Sequence, residues 1–87
     1  MSIKEYRLVQ KKFMAAQVSK ENSMEILDWV NQDYRCSLTL DGFVTYKIYA
    51  HGYTLTARLG DYIIKDSNGD IFVRSEEEFK HNFKLVE

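Results

Sequence analysis

The 87-residue chain contains no proline, one cysteine, two histidines and only four glycines. The glycines stand singly at predicted turns, which excludes a glycine-rich loop that could cradle a phosphate group. Because there is no linker composition, repeat or low-complexity segment, we expect residues 1–87 to form a single domain. A domain of this size buries a small core and is marginally stable, so self-association would help it.

A single cysteine cannot form a disulfide within the chain. Cys36 lies in an alternating apolar stretch, where a cysteine is usually a small buried hydrophobic residue rather than a nucleophile or a ligand. His51 and His81 have no Cys or carboxylate partner at the spacing of a nucleophile or a metal site. The sequence therefore predicts no enzyme, no catalytic or metal-binding residue and no cofactor.

No apolar run approaches the roughly 18 residues of a membrane-spanning helix, and no basic-then-apolar signal sequence opens the chain. With the unpaired cysteine, these absences predict a cytoplasmic protein without a membrane partner. The twelve basic and thirteen acidic residues nearly cancel, so no overall field attracts nucleic acid.

The hydrophobic residues, 45% of the chain, indicate a folded protein, and their spacing predicts its elements. Residues 6–18 mix β-formers with the pair Lys11-Lys12, which predicts one opening strand with a bend or bulge near its middle. Ser19 can cap a helix of about residues 20–32, and Trp29 flanks its apolar stripe. That stripe consists of Met24, Ile26, Leu27, Val30 and Tyr34.

After this helix the apolar period changes to two, which predicts three successive strands between residues 34 and 59. A plain two-residue loop at Asp41-Gly42 would scramble the apolar faces, so we expect a three-residue loop or a bulge there. His51-Gly52 fits a two-residue loop. Gly60 then ends the strand, and Asp61 can cap a backbone amide. The predicted cross-strand pairs are Leu40 with Val44, Leu38 with Tyr46, Cys36 with Ile48, Ile48 with Leu55, Tyr46 with Ala57 and Val44 with Leu59.

The pair Asn68-Gly69 lies between two short apolar strands and predicts a two-residue type I′ turn, in which both residues take positive φ. Ile63 and Phe72 would then face away from the core, covered by a second helix or by a second subunit. We therefore expect a homodimer. The pairs on the predicted core face are Ile64 with Val73 and Asp66 with Ile71, and those on the other face are Lys65 with Phe72 and Ile63 with Arg74.

Ser75 can cap a short helix of about residues 76–83, in which Phe79 and Phe83 form the buried stripe. Residues 84–86 follow as a brief strand or an extended tail. Together these elements predict an α+β fold: an antiparallel sheet of about five strands with one longer and one short helix.

The sequence combines four features: a basic-then-apolar opening strand, a helix ending in a Trp-hydrophobic pair, a Gly-Asp-aromatic-Ile-Ile hairpin and a final Phe-x-x-x-(Tyr/Phe) pair. They are carried by Lys11–Gln17, Ile26, Trp29-Val30, Gly60–Lys65, Gly69–Val73, Phe79 and Phe83. In them the chain resembles a family of short proteins encoded by bacteriophages and prophages. It departs from the family pattern at Leu59, where a Pro is common. The resemblance implies a phage or prophage origin but no activity.

The polar side of the three central strands collects three cations and no acid. It is either the ordinary solvated face of an antiparallel sheet or a platform on which arginine binds a phosphate or carboxylate and a tyrosine stacks on a ring. The candidate partner-binding residues are Arg35, Lys47, Tyr49 and Arg58, accompanied by Thr45, Thr54 and Thr56.

A second charged surface is acidic. It is either solvated charge, with the glutamates at the positive end of a helix dipole, or an imitation of phosphates against a basic host protein. Its residues are Asp66, Asp70, Glu76, Glu77 and Glu78.

Three functions remain open. The first is a non-enzymatic phage or prophage accessory protein that binds a host or defence-system macromolecule in the bacterial cytoplasm, for example as a counter-defence inhibitor. The second is a protein that binds nucleic acid or a nucleotide signal through the cationic sheet face. The third is a structural or assembly factor of the virion.

Overall fold

The computed structural model describes residues 3–8, 11–40, 43–82 and 84–85. Within them the chain forms eight β-strands and two α-helices. The predicted α+β class is confirmed, although there are more strands than the predicted five. In chain order the elements are β1 (Ile3–Leu8), β2 (Lys11–Gln17), α1 (Ser23–Asn31), β3 (Arg35–Thr39), β4 (Thr45–Ala50), β5 (Tyr53–Arg58), β6 (Tyr62–Asp66), β7 (Ile71–Arg74), α2 (Glu76–Asn82) and β8 (Lys84–Leu85).

The strands form two antiparallel sheets instead of one. The five-stranded sheet has the order β7-β6-β2-β1-β8, and the three-stranded sheet has the order β3-β4-β5. The segment before α1 pairs through β2 with β6, which lies far along the sequence, and not with the neighbouring β3. Alternation shows which residues of a strand share a face, but it does not show which strands become neighbours.

The main core lies between the two sheets and α1. The five-stranded sheet contributes Ala16, Ile63 and Ile71, the three-stranded sheet contributes Tyr46, Ile48 and Ala57, and α1 contributes Ile26 and Val30. On the other face of the five-stranded sheet a second cluster includes α2. Its buried members are Ala15, Tyr62, Ile64 and Phe79. The five-stranded sheet is therefore buried on both faces near its centre, whereas the three-stranded sheet is buried on one.

The predicted bent opening strand is in fact two strands. β1 and β2 form an antiparallel hairpin in which Leu8 pairs with Lys11, so the expected bend is a full chain reversal. Val9 and Gln10, between these strands, lie outside the described residues. Neither residue type favours a turn, which explains why no reversal was predicted there.

The helix α1 begins later than the predicted residue 20. Asn22, not Ser19, occupies its N-cap position. The Asn22 side chain accepts a hydrogen bond from the Ser19 N–H at 2.9 Å and donates one to the Gln17 carbonyl at 2.7 Å, and so fixes the connection from β2. Met24 belongs to the predicted apolar stripe, but the helix presents it to solvent, and it is 58% exposed.

The registers predicted for the three-stranded sheet are confirmed where its strands are paired. The two-residue turn at His51-Gly52 is also confirmed, and Gly52 takes a φ of 78°. Gly42 and the turn at Asp41-Gly42 lie outside the described residues. The observed pairs include Cys36 with Ile48, Leu38 with Tyr46, Ile48 with Leu55 and Tyr46 with Ala57.

The predicted pairs of Val44 with Leu40 and with Leu59 do not extend this sheet. Pairing ends at Thr45, which lies opposite Thr39 and Arg58. Val44 still enters the core, but Leu40 and Leu59 are 60% and 54% exposed. The strands end one residue earlier than the apolar pattern suggested, and two large apolar side chains remain at this end of the sheet.

The β6–β7 hairpin has a three-residue loop, and its register differs by one residue from the prediction. The N–H of Gly69 donates to the Asp66 carbonyl at 3.2 Å, and Gly69 has a φ of 87°, as in a type I turn followed by a left-handed glycine. The Asp66 carboxylate accepts the N–H groups of Asn68 and Asp70, each at 2.9 Å, which stabilises this turn over the expected type I′ turn. The observed pairs are Ile63 with Val73, Ile64 with Phe72 and Lys65 with Ile71.

A shift of one residue turns side chains to the opposite face of a hairpin. Ile63 is fully buried in the main core, and Phe72 packs against the cluster around Phe79. The two residues on which the homodimer was predicted are therefore covered within the chain. The homodimer remains a prediction, but Ile63 and Phe72 do not support it.

Ser75 caps α2, as predicted. Its hydroxyl oxygen accepts the N–H of Glu78 at 3.2 Å, and the Glu78 carboxylate accepts the N–H of Ser75 at 3.3 Å. This reciprocal pair is a capping box. The rings of Tyr62 and Phe79 stack with their centroids 3.8 Å apart, which holds the helix on the sheet. Phe83, the other predicted stripe residue, lies outside the described residues.

Candidate functional site

The outer face of the three-stranded sheet is the candidate site. Nine side chains project from it in three cross-strand rows, and seven of the nine residues are exposed. We call these nine residues the cationic face. The rows are Arg35, Tyr49 and Thr54; then Ser37, Lys47 and Thr56; then Thr39, Thr45 and Arg58.

The cationic face carries three positive charges, and none of its nine described side chains is acidic. Arg35, Lys47 and Arg58 lie on a diagonal of the rows, so successive cations are diagonal neighbours about 7–8 Å apart at their Cα atoms. The charge forms a stripe that crosses all three strands. A stripe of this length can contact several anionic groups of one ligand.

An aromatic ring lies beside the stripe. Tyr49 is 44% exposed, and the guanidinium carbon of Arg35 lies 5.9 Å from its ring centroid, within the range of a cation–π interaction. The Tyr49 ring offers a flat apolar surface next to two cations. This combination suits a ligand that has both planar rings and phosphates.

One end of the cationic face opens into a groove. Its volume is about 370 Å³, and it is lined by Phe43, Val44, Thr45, Arg58 and Leu59. The turn that follows is held by Asp61, whose carboxylate accepts the Arg58 backbone N–H at 3.0 Å, as predicted for a turn cap. Gly60 has a φ of 91° in that turn.

The two acidic residues of the β6–β7 hairpin both act on groups within the chain. Asp66 holds the loop, as described above, and lines a second cavity. Tyr34 donates a hydrogen bond from its hydroxyl to the Gly69 carbonyl. Burial, followed by the negative charge of Asp70, raises the pKa of Tyr34. The Asp66 carboxylate therefore stabilises its own hairpin, and the Asp70 charge acts on Tyr34.

Two of the three glutamates of α2 also have contacts within the chain. Glu76 accepts a hydrogen bond from Gln17 at 2.7 Å and lies 3.6 Å from the Lys80 ammonium; the Gln17 hydrogen bond and the Lys80 charge lower the pKa of Glu76. Glu78 belongs to the capping box, and Glu77 is exposed. The structure thus assigns helix-stabilising roles to Glu76 and Glu78.

Sequence reasoning missed an ion pair between a buried lysine and an exposed aspartate. Lys65 is 8% exposed, and its ammonium donates to the Asp33 carboxylate at 2.7 Å and to the Trp29 carbonyl at 2.5 Å. The ammonium also lies 4.7 Å from the Trp29 ring centroid. A lysine directly after the apolar run Tyr62–Ile64 was the available signal, because a buried cation needs a partner.

The ion pair borders a cavity of about 350 Å³ that Trp29, Asp33, Lys65 and Asp66 help to line. The cation of this cavity is the Lys65 ammonium, which already has two hydrogen-bond partners within the chain. Carboxylates outnumber the lysine among the lining residues, since Glu5, Asp33 and Asp66 all contribute. This charge balance does not suit a phosphate ligand.

The residues usual in catalysis are dispersed. Burial raises the pKa of Cys36 to about 11, so its thiol stays protonated near neutral pH. His51 lies in the exposed turn, with its ring centroid 6.4 Å from that of Tyr34, and His81 is exposed on α2. Over the part of the chain that the structure describes, no group of three or more His, Cys, Asp or Glu residues could hold a metal ion.

The fold and the face define a small α+β protein that carries a positively charged stripe on one side of a sheet. In the described segments, neither helix is long and apolar enough to cross a bilayer. Comparison with protein-family models, curated proteins and solved structures found no match for this chain.

Proposed function

We propose that the protein binds single-stranded nucleic acid on the cationic face. The observation that carries this proposal is the diagonal of Arg35, Lys47 and Arg58 on a sheet face whose nine described side chains include no acid. Proteins that bind single strands combine positive charge along the backbone path with aromatic rings on which bases stack. The cationic face offers both, with Tyr49 as its ring.

The shape of the site favours a single strand over a duplex. A sheet face is a shallow surface on which unpaired bases can lie flat, as they do on other sheet platforms. The major groove of duplex DNA instead admits a helix or a two-stranded ribbon. Three side-by-side strands with exposed polar side chains form a platform and not a projecting ribbon.

The predicted role as a phage accessory protein that binds a host or defence protein rests on the family resemblance, as does the alternative of a virion factor. Both stay predictions. A single-strand binding protein is compatible with either setting.

The experiment is a titration of a fluorescently labelled single-stranded oligonucleotide, followed by anisotropy. We expect Arg35→Glu/Arg58→Glu to abolish binding while the melting curve stays unchanged, because exposed substitutions shift stability by only about 0.5 kcal/mol. Wild-type affinity should fall with salt, with a slope of about −0.7 per phosphate neutralised. Lys47→Glu should weaken binding at every sequence tested.

The matched control is Lys20→Glu/Lys80→Glu, which changes the net charge by the same amount at two exposed positions outside the face. We expect it to retain most of the affinity. Equal loss in both double variants would show that binding depends on net charge alone, and this would contradict the assignment of the site.

A further inference from the structure

The groove at the end of the cationic face has the most exposed aromatic ring of the described large hydrophobic side chains. Phe43 is 78% exposed, and Leu59 on the same groove is 54% exposed. Val44 also lines the groove and is buried in the main core, so the groove has an anchored inner wall. A volume of about 370 Å³ is within the range of small-ligand sites.

The groove and the cationic face share two residues. Thr45 and Arg58 are cross-strand partners in the last row of the face, and both line the groove. Arg58 is the one charged residue among the described residues that line it. A ligand that leaves the face at Arg58 therefore enters a site with a cation on one side and a phenyl ring on the other.

We propose that this groove is a nucleobase subsite, in which one base of the bound strand stacks on Phe43 while its phosphate contacts Arg58. The inference rests on the proposed function and adds the place where a base is held. A nucleotide is both anionic and planar, and this matches the pair of Arg58 and Phe43. A purely apolar occupant would leave the guanidinium of Arg58 without a partner on that side.

The test measures the affinity of the same single-stranded oligonucleotide for Phe43 variants of the full chain. Phe43→Leu should lower the affinity about 5- to 150-fold, the range for loss of one base-stacking contact. Phe43→Tyr should retain the affinity, because it keeps the ring. Met24→Ala is the matched control, since Met24 is a 58% exposed hydrophobic residue on α1, and it should have no effect.

A fluorescence reporter gives a second readout. The chain has one tryptophan, Trp29, which lines the other cavity. Phe43→Trp should gain a fluorescence change on oligonucleotide addition that the wild type lacks, because a stacked base contacts the new indole. Phe43 is so exposed that these variants should fold normally, which melting curves check.

The outcomes separate the two proposals. If Arg35→Glu/Arg58→Glu abolishes binding but Phe43→Leu binds like the wild type, the base subsite is wrong and the proposed function stands. If the wild type binds no oligonucleotide, both are wrong.

Discussion

The two sheets of this protein are used in opposite ways. Strand β6, inside the five-stranded sheet, has four consecutive buried residues, Tyr62–Lys65, with at most 8% exposure. Strand β4, at the centre of the three-stranded sheet, alternates between fully buried Tyr46 and Ile48 and exposed Lys47 and Tyr49. One sheet is a scaffold within the core, and the other presents a face to solvent.

The difference comes from what covers each sheet. The helix α2 packs on the outer side of the five-stranded sheet through the stacked rings of Tyr62 and Phe79. The helix α1 and the three-stranded sheet together cover the inner side. Seven of the nine residues on the outer face of the three-stranded sheet remain exposed. A small domain with few helices can thus bury one sheet fully and leave a sheet face available for binding.

The largest expected effect on stability is in the five-stranded sheet. Ile63→Ala should lower the free energy of unfolding by about 2–5 kcal/mol, because it leaves a cavity at a fully buried position. Tyr49→Ala removes a larger side chain from the cationic face but should cost only about 0.5 kcal/mol. Urea denaturation of both variants measures the comparison, and similar losses would show that the two sheets do not differ as described.

Two lysine substitutions, one in each sheet, test the same difference between the sheets. Lys65→Ala should cost about 1–3 kcal/mol, because the Trp29 carbonyl loses its hydrogen bond inside the protein. Lys47→Ala makes the same chemical change on the exposed face and should lie within about 0.5 kcal/mol of the wild type. Chemical denaturation of the two variants under identical conditions checks the difference. A Lys65→Ala variant as stable as Lys47→Ala would contradict the stabilising role of the buried Lys65.

The turns test whether each hairpin depends on its glycine. Gly69→Ala and Gly52→Ala should each cost about 1–2 kcal/mol, since both positions have left-handed backbone that disfavours an L side chain. The cost is conformational, because an added Cβ would meet nothing within 4 Å at either position. Asparagine at either site should recover part of the loss. Thermal melting of the four variants provides the measurement, and an alanine variant that melts like the wild type would rule out that turn.

A reaction rate, which does not depend on a change in stability, tests the two sides of β3. Cys36 points toward the core, and its pKa is raised by burial to about 11. At pH 8 the native thiol should therefore react with iodoacetamide about 100-fold or more slowly than a free cysteine, whose pKa is near 8.5. The urea-unfolded chain is the control and should react at the ordinary rate. Equal rates would place Cys36 on the exposed side.

The three-stranded sheet could be predicted because its strands are half-buried. Alternation in β4 and β5 fixed the pairing of Ile48 with Leu55, and with it the diagonal of Arg35, Lys47 and Arg58. Phe43 was not recognised as part of a site, because the pattern extended the apolar pairing past Thr45. The side chains at the end of the sheet depend on where the strand stops, which alternation does not determine.

The five-stranded sheet was less predictable for a physical reason. Tyr62–Ile64 is a continuous apolar run, and a strand buried on both faces has no alternation to fix its register. The Asn-Gly pair then favoured a two-residue turn, although Asp66 with Gly69 three residues later also fits a type I turn. The Asp66 side-chain hydrogen bonds decide between them. The pairing of β2 with β6 had no local signal.

The connectivity of the two sheets also bears on the order of folding. The strands β3, β4 and β5 are consecutive, whereas the five-stranded sheet must bring Ala15 beside Ile64. Short-range contacts close faster than contacts between distant segments, because the entropy lost on closing a loop is smaller. We expect folding φ-values to be high for Leu55→Ala and low for Ile64→Val, as measured from folding and unfolding rates. The sheet that faces solvent would then assemble first and serve as the surface on which the rest of the chain condenses.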